Sequence, residues 1–202
     1  MANKTKIEWV KNSQGEAGNT WNPLRGCSRV SEGCRNCYAE SMAARFCGAG
    51  HPYEGTINAD TKRWNGKIKL VPEKLTDPLR WKRPRMIFVN SMSDLFHEDV
   101  PAEFLDQVFA VMALAKQHTF QVLTKRPERM LQYMTDGGRP RRVGSNTGWL
   151  NDDATVSPWP LKNVWLGVTA ENQQAADERI PLLLQTPAAV RWVSMEPLLS
   201  SV

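Results

Sequence analysis

The sequence predicts a parallel α/β fold, on three observations. Four short segments, Met86–Asn90 (MIFVN), Thr119–Thr124 (TFQVLT), Asn163–Val168 (NVWLGV) and Val190–Met195 (VRWVSM), are rich in β-branched or aromatic residues and too short for helices, so they read as buried strands. Their starts lie 33, 44 and 27 residues apart, about one strand-plus-helix unit each. Helical periodicity fills the intervals. Strands alternating with helices imply parallel pairing through right-handed crossovers, hence a doubly wound sheet or a (β/α) barrel, and in both the ligand groups gather at the carboxyl ends of the strands.

Between the first two strands, PAEFLDQVFAVMALAKQ places Phe104, Val108, Val111, Met112 and Ala115 on one helical face, with Pro101 suited to the first helical position. After the second, PERMLQYMT reads as a helix started by Pro127, with Met130, Leu131 and Met134 inward. After the third, ENQQAADERIPLLLQ reads as a helix interrupted at Pro181. The stretch Gly137–Pro160, rich in Gly, Pro and polar residues, is expected to be a long loop over the mouth of the fold or a disordered insert. The first eighty residues are less regular: Cys34–Phe46 reads as helix, Ile68–Val71 as a strand and Pro72–Trp81 as a short helix. Residues 1–202 are expected to form one domain.

The chain is 41% hydrophobic and 23% charged, the composition of a globular protein. It has no run of about 18 apolar residues, and its N-terminus lacks the apolar stretch of a signal peptide. A cytoplasmic protein with no membrane partner is expected. In that reducing compartment four cysteines, three of them within eleven residues, read as ligands and not as a disulfide framework. The net charge of +5 and pI near 9.1 suit a nucleic acid or another polyanion, but equally an ordinary solvated basic surface.

The cysteines stand in GCSRVSEGCRNCYAESMAARF, so Cys27, Cys34 and Cys37 form a C-x6-C-x2-C array leading into a helix. Thiolates are soft ligands for iron–sulfur clusters and zinc, and Gly26 and Gly33 let the backbone wrap a cluster closely. Three ligands leave one iron of a [4Fe–4S] cluster open to chelate S-adenosylmethionine. Zinc is the alternative and would require a fourth ligand from Cys47, His51 or His97. Cys47 otherwise reads as a buried thiol, and His97 as a surface or capping histidine.

The motifs TKIEW, TWNPLRGC, SEGCRNCYAE, FVNSMSDLFHE, LTKRPERM, LGVTAENQ and VSMEPLL, in that order from Lys6 to Leu199, resemble an uncharacterised, often phage-encoded, three-cysteine family whose members are similar to radical S-adenosylmethionine enzymes. The resemblance implies a TIM-like (β/α) barrel, a [4Fe–4S] cluster on Cys27, Cys34 and Cys37, bound S-adenosylmethionine and an electron donor such as flavodoxin or ferredoxin. Two departures stand out. The first spacer is six residues where three are commoner, and Asn36 stands where an aromatic often precedes the last cysteine, with Tyr38 just beyond. The resemblance also implies further strands past VSMEPLL, so the barrel within these residues is expected to be incomplete, or completed by a separately encoded partner protein.

Polar residues collect where the apolar runs end: Asn90, Ser91 and Asp94, then Thr124, Lys125 and Arg126, then Thr169, Glu171 and Asn172, and last Ser194 and Glu196. Any one of these is commonly a helix cap, Thr169 above all. By the resemblance, Asn90 and Ser91 would receive the methionine amino and carboxylate groups and Thr169 the ribose or adenine, with Asp94, Thr124 and Ser194 in the same cofactor set. Lys125 would pair with a carboxylate or phosphate and Glu196 accept from a hydroxyl or amine, which makes these two the candidate catalytic residues. The expected function is an iron–sulfur, radical S-adenosylmethionine-like enzyme, with a nucleobase as one candidate substrate, held by Arg139, Arg141 and Arg142 and stacked on Trp149 or Trp159. The alternative is a non-catalytic zinc- or cluster-stabilised module that binds nucleic acid or protein.

Overall fold

A computed structural model describes residues 4–11, 14–146 and 158–202. In chain order the elements are β1 (Asn19–Trp21), β2 (Leu24–Arg25), α1 (Tyr38–Arg45), β3 (Lys69–Leu70), β4 (Met86–Val89), α2 (Ala102–Leu114), β5 (Thr119–Thr124), α3 (Pro127–Thr135), α4 (Arg139–Ser145), β6 (Val164–Thr169), α5 (Gln173–Gln185) and β7 (Val190–Ser194). Five of the strands form one parallel sheet in the order β1, β4, β5, β6, β7, while β2 and β3 make a separate antiparallel pair. The chain is therefore a mixed α/β protein. No closed barrel is present among the described residues, and β1 and β7 are the two edges of the sheet.

Alternation along the strands divides the sheet into two faces. Trp21, Ile87, Val89, Phe120, Val122, Val164, Leu166 and Val168 point to one side and share a core with α2, α3, α4 and α5 through residues such as Phe104, Phe109, Met130, Val143 and Leu183. Each fully buried side chain of this size contributes on the order of 1.5–3 kcal/mol. The other face carries Phe88 and Trp192, against which Trp9 of the N-terminal segment packs, edge-to-face with Phe88 at 4.7 Å and tilted to Trp192 at 4.8 Å between ring centroids. Gly167 lies beneath the Trp192 ring, where a methyl group would come within 2.6 Å of it.

Several local expectations differ from the structure. Helix α5 runs through Pro181 without interruption, because the exposed proline forfeits one backbone bond while Leu183 on the next turn stays anchored in the core. Pro101 is the N-cap of α2 and not its first residue. The Pro72–Trp81 segment forms two 3-10 turns, Pro72–Lys74 and Asp77–Arg80, with a proline first in the one and second in the other. The helix expected from Cys34 starts only at Tyr38. The Gly137–Pro160 stretch is not loop throughout: α4 occupies Arg139–Ser145 because Arg139 enters a buried site, bonding Asp106 at 2.9 Å and covering the Tyr133 ring at 4.1 Å. Trp159 packs 5.7 Å from Phe109 and donates to the Met134 carbonyl, so it serves the core. Arg142 is bonded to Asp136. Arg139, Arg142 and Trp159 are thus committed within the fold, and Trp149 lies outside the described residues. No helix among the described residues is long and apolar enough to cross a membrane.

Candidate cofactor site at the carboxyl ends of the strands

The cysteine segment leaves β1 and crosses the carboxyl ends of the parallel strands. Its base is fixed by the β2–β3 pair, with Leu24 opposite Leu70 and Arg25 opposite Lys69. Gly26 then turns at φ +91 in close approach to the Lys67 carbonyl, a place without room for a side chain. A 3-10 turn spans Glu32–Cys34, and Cys37 caps the start of α1. Beneath this segment lies a cavity of about 500 Å³ with Cys27, Cys34 and Cys37 on its wall. Asn90, Ser91 and Asp94 line it from beyond β4, and Thr124 and Lys125 from the end of β5. Thr169, Ser194 and Glu196 complete it from β6 and β7. Every residue assigned to the cluster, to the bound cofactor or to catalysis borders this one cavity, while Glu171 and Asn172 line a neighbouring cleft.

Asn90 is its least satisfied member. It is 3% exposed, stands at φ +60 just past β4, and neither its side-chain oxygen nor its nitrogen has a hydrogen-bond partner. A buried amide without partners is costly, and asparagine is one of the few residues that tolerate this backbone. Donor and acceptor both remain available on the cavity side of β4. The Trp64 indole N–H, also bordering the cavity, is likewise without a partner.

Two charged networks hold the cysteine segment. In the first, the Arg126 guanidinium bonds Asp94 at 3.1 Å, Glu98 at 2.8 Å and the Ser28 hydroxyl at 2.6 Å. Asp94 also accepts from Thr124 Oγ1 at 2.7 Å and the Lys125 amide at 3.1 Å. His97 Nδ1 accepts from the Asp99 amide at 3.2 Å, which leaves Nε2, 2.8 Å from Ser28 Oγ, to donate. Burial, then the Arg126 charge, holds this imidazole below its usual range, consistent with a neutral ring. Burial pushes the Glu98 carboxyl up, but its hydrogen bonds and Arg126 outweigh that and bring it to about 2.

In the second network Glu171, at the end of β6, accepts from Ser31 Oγ, from Lys125 Nζ at 2.9 Å and from Arg179 at 2.8 Å. Burial raises this carboxyl, yet the three donors together hold it at about 2. Gly33 packs on the same pair, where a methyl group would lie 2.9 Å from Lys125 Nζ. A third tie, Arg29 to Glu40 at 2.7 Å, is shared with Arg63 at 2.9 Å and the Trp64 amide at 2.8 Å. Ser28, Arg29 and Ser31, all between the first two cysteines, are therefore each fastened to a different part of the fold.

The DUF5131 family, described as a protein of unknown function, matches residues 4–202. The chain belongs to that family. No curated protein and no solved structure matches it.

The thiols in this DUF5131 chain are free and half-buried. Burial, then the Asp94 carboxylate, pushes Cys27 up to about 12. Among the described residues no group of three His, Cys, Asp or Glu side chains stands close enough to hold a metal ion as placed, so the thiols share a wall without forming a closed ligand set. The zinc alternatives lie elsewhere: Cys47 packs in a small apolar cluster with Ala43, Ile57 and Met92, His51 lies beside Phe46, and His97 is engaged with Ser28. Asn172, and not Thr169, caps α5, accepting from the Ala175 amide at 2.8 Å. Lys125 borders the cavity but its ammonium is held by Glu171, so its first role is structural. Sequence reasoning passed over Ser28, Ser31 and Arg179, and it placed Arg126 and Glu171 at the rim without a role. The serines between the cysteines were the available signal.

Proposed function

We propose that this protein is an iron–sulfur enzyme of the radical S-adenosylmethionine type whose sheet is an arc of a (β/α) barrel. Within the parallel sheet, strand order that follows chain order, with α2–α5 on one face, supports the arc, since a doubly wound sheet reverses direction part-way. The observation that carries the chemistry is the convergence of three free thiols and the unpartnered Asn90 amide on one cavity. The donor set fits a [4Fe–4S] cluster, which takes three thiolates and leaves one position open, better than a closed four-ligand zinc site. When bound, the cluster would supply the electron and the open coordination position for cleaving S-adenosylmethionine.

The chain's own residues do the holding. Asn90 offers a donor and an acceptor to the amino and carboxylate groups of S-adenosylmethionine, with Ser91 beside it. Thr169 and Ser194 orient the rest of the cofactor. The Arg126 and Glu171 networks keep the cysteine segment in place above it. Glu196, exposed at the cavity edge, is the group left to accept from a substrate hydroxyl or amine.

Anaerobic reconstitution tests the reading. About four irons and four sulfides per chain are expected, with broad absorbance bleached by dithionite. Cys27→Ala, Cys34→Ala and Cys37→Ala should each abolish this, and Cys47→Ala should not. Stoichiometric zinc without sulfide in protein purified without oxygen would overturn it in favour of a metal-stabilised binding module.

A further inference from the structure

We infer that the layer formed by the cysteine segment, α1 and residues 60–69 is a docking face for single-stranded nucleic acid, directed at the cavity mouth. This deepens the proposed function and relies on it only for the chemistry inside the cavity. Residues 25–69 hold eight Lys and Arg against four Asp and Glu, which is +4 of the chain's net +5. The one buried acid among them, Glu40, is already matched by two guanidiniums, those of Arg29 and Arg63. The layer is one surface: Arg63 donates to the Arg35 carbonyl at 3.0 Å, and the Lys67 backbone lies against Gly26 beside Cys27. Arg45, Lys62 and Lys67 are exposed on it, and Arg35, also exposed, forms a solvent-screened pair with Glu32 at 3.2 Å.

An aromatic ring sits within this charge. Tyr38, next to Cys37 and bordering the cavity, is 70% exposed, and Arg45 lies seven residues further along the same face of α1. Cationic side chains that track phosphates, combined with an open ring on which a base can stack, are the chemistry of single-strand binding. Charge reverses on the other side of the segment. There a cleft of about 340 Å³ is lined by Glu32, Glu128, Glu171 and Glu178 against only Lys125 and Arg179. Phosphates are repelled from that side, which leaves the α1 side as the path of a strand toward the cavity. The Gly137–Pro160 stretch is a weaker candidate, because Arg139 and Arg142 there are spent on Asp106 and Asp136.

The test is fluorescence anisotropy of labelled single-stranded DNA and RNA, and of a duplex of the same sequence, at about 50 mM salt. Full-length protein is used both as purified and after reconstitution, with iron measured separately. The triple variant Arg35→Glu, Arg45→Glu, Lys62→Glu should weaken single-strand binding roughly tenfold or more. The control pair Lys82→Glu, Arg83→Glu, exposed ahead of β4 at the opposite end of the strands, should change it less than about twofold by the same charge argument. Tyr38→Ala should weaken single-strand binding roughly tenfold and duplex binding less. Circular dichroism and melting of each variant check that the fold is kept. Equal loss in the triple and control variants, no binding by wild type, or displacement by polyglutamate as readily as by oligonucleotide would overturn the inference, the last in favour of an acidic protein partner. A chain that binds strands but takes up no iron would sink the cluster reading and leave this inference standing.

Discussion

Asn90 and Glu171 are opposite cases of a buried polar side chain, one with no partners and the other with three. Asn90→Gly keeps the left-handed backbone and deletes only the amide. It should leave the melting temperature nearly unchanged and weaken S-adenosylmethionine binding to reconstituted protein about tenfold or more by calorimetry. Asn90→Val should instead destabilise the fold by roughly 1–2 kcal/mol, since a β-branched residue is strained at φ +60. Glu171→Gln removes the anion between Lys125 and Arg179, and breaking a buried pair costs roughly 3 kcal/mol near neutral pH. The folded-state carboxyl lies at about 2, below its ordinary 4.5, so its contribution is fully present above about pH 4.5 and lost as pH falls toward 2. Urea unfolding at a series of pH values should show the gap between wild type and Glu171→Gln closing over that window. A gap independent of pH would mean that the charge is not what stabilises. Asn90 was legible in the sequence because it ends an apolar run. The roles of Glu171 and Arg126 were not, because Ser31 lies 140 residues from Glu171 and Ser28 lies 98 from Arg126.

Among elements, the cysteine segment differs from the strands in what fixes it. β5 was legible to the residue because five apolar or β-branched positions, interrupted only by Gln121 and bounded by polar residues, specify a buried strand with little help. β1 was not, since its three residues, Asn19 to Trp21, gain strand character only by pairing with Ile87, Phe88 and Val89. α4 was hidden for a similar reason: Gly, Pro and Arg argue for a loop until the Asp106 carboxylate is there to receive Arg139. The segment between Cys27 and Cys37 has little regular structure and depends on its three ties. Gly33→Ala should therefore act beyond its size, pushing Lys125 from Glu171 and loosening Ser31. The expected result is faster hydrogen exchange across residues 27–37 in the metal-free protein, with the protection of β5 and β6 unchanged.

At the scale of the molecule, the sheet supplies a rigid floor and the cysteine layer a fastened cover, so the cavity exists before any cofactor enters. Binding energy would then add to stability, less what is needed to draw the three thiols together into a ligand set. Reconstitution followed by S-adenosylmethionine should raise the melting temperature in two separate steps, and the second should be smaller in Asn90→Gly at the same ligand concentration. The floor has an optical consequence as well. Trp9 and Trp192 lie 4.8 Å apart with their planes tilted by 52°, an arrangement in which two indoles share an excited state. The pair should give a split band in circular dichroism that Trp9→Phe removes. Because Trp9 borders the cavity, an occupant that touches its ring should shift this band, which would make the indole pair a spectroscopic gauge of occupancy.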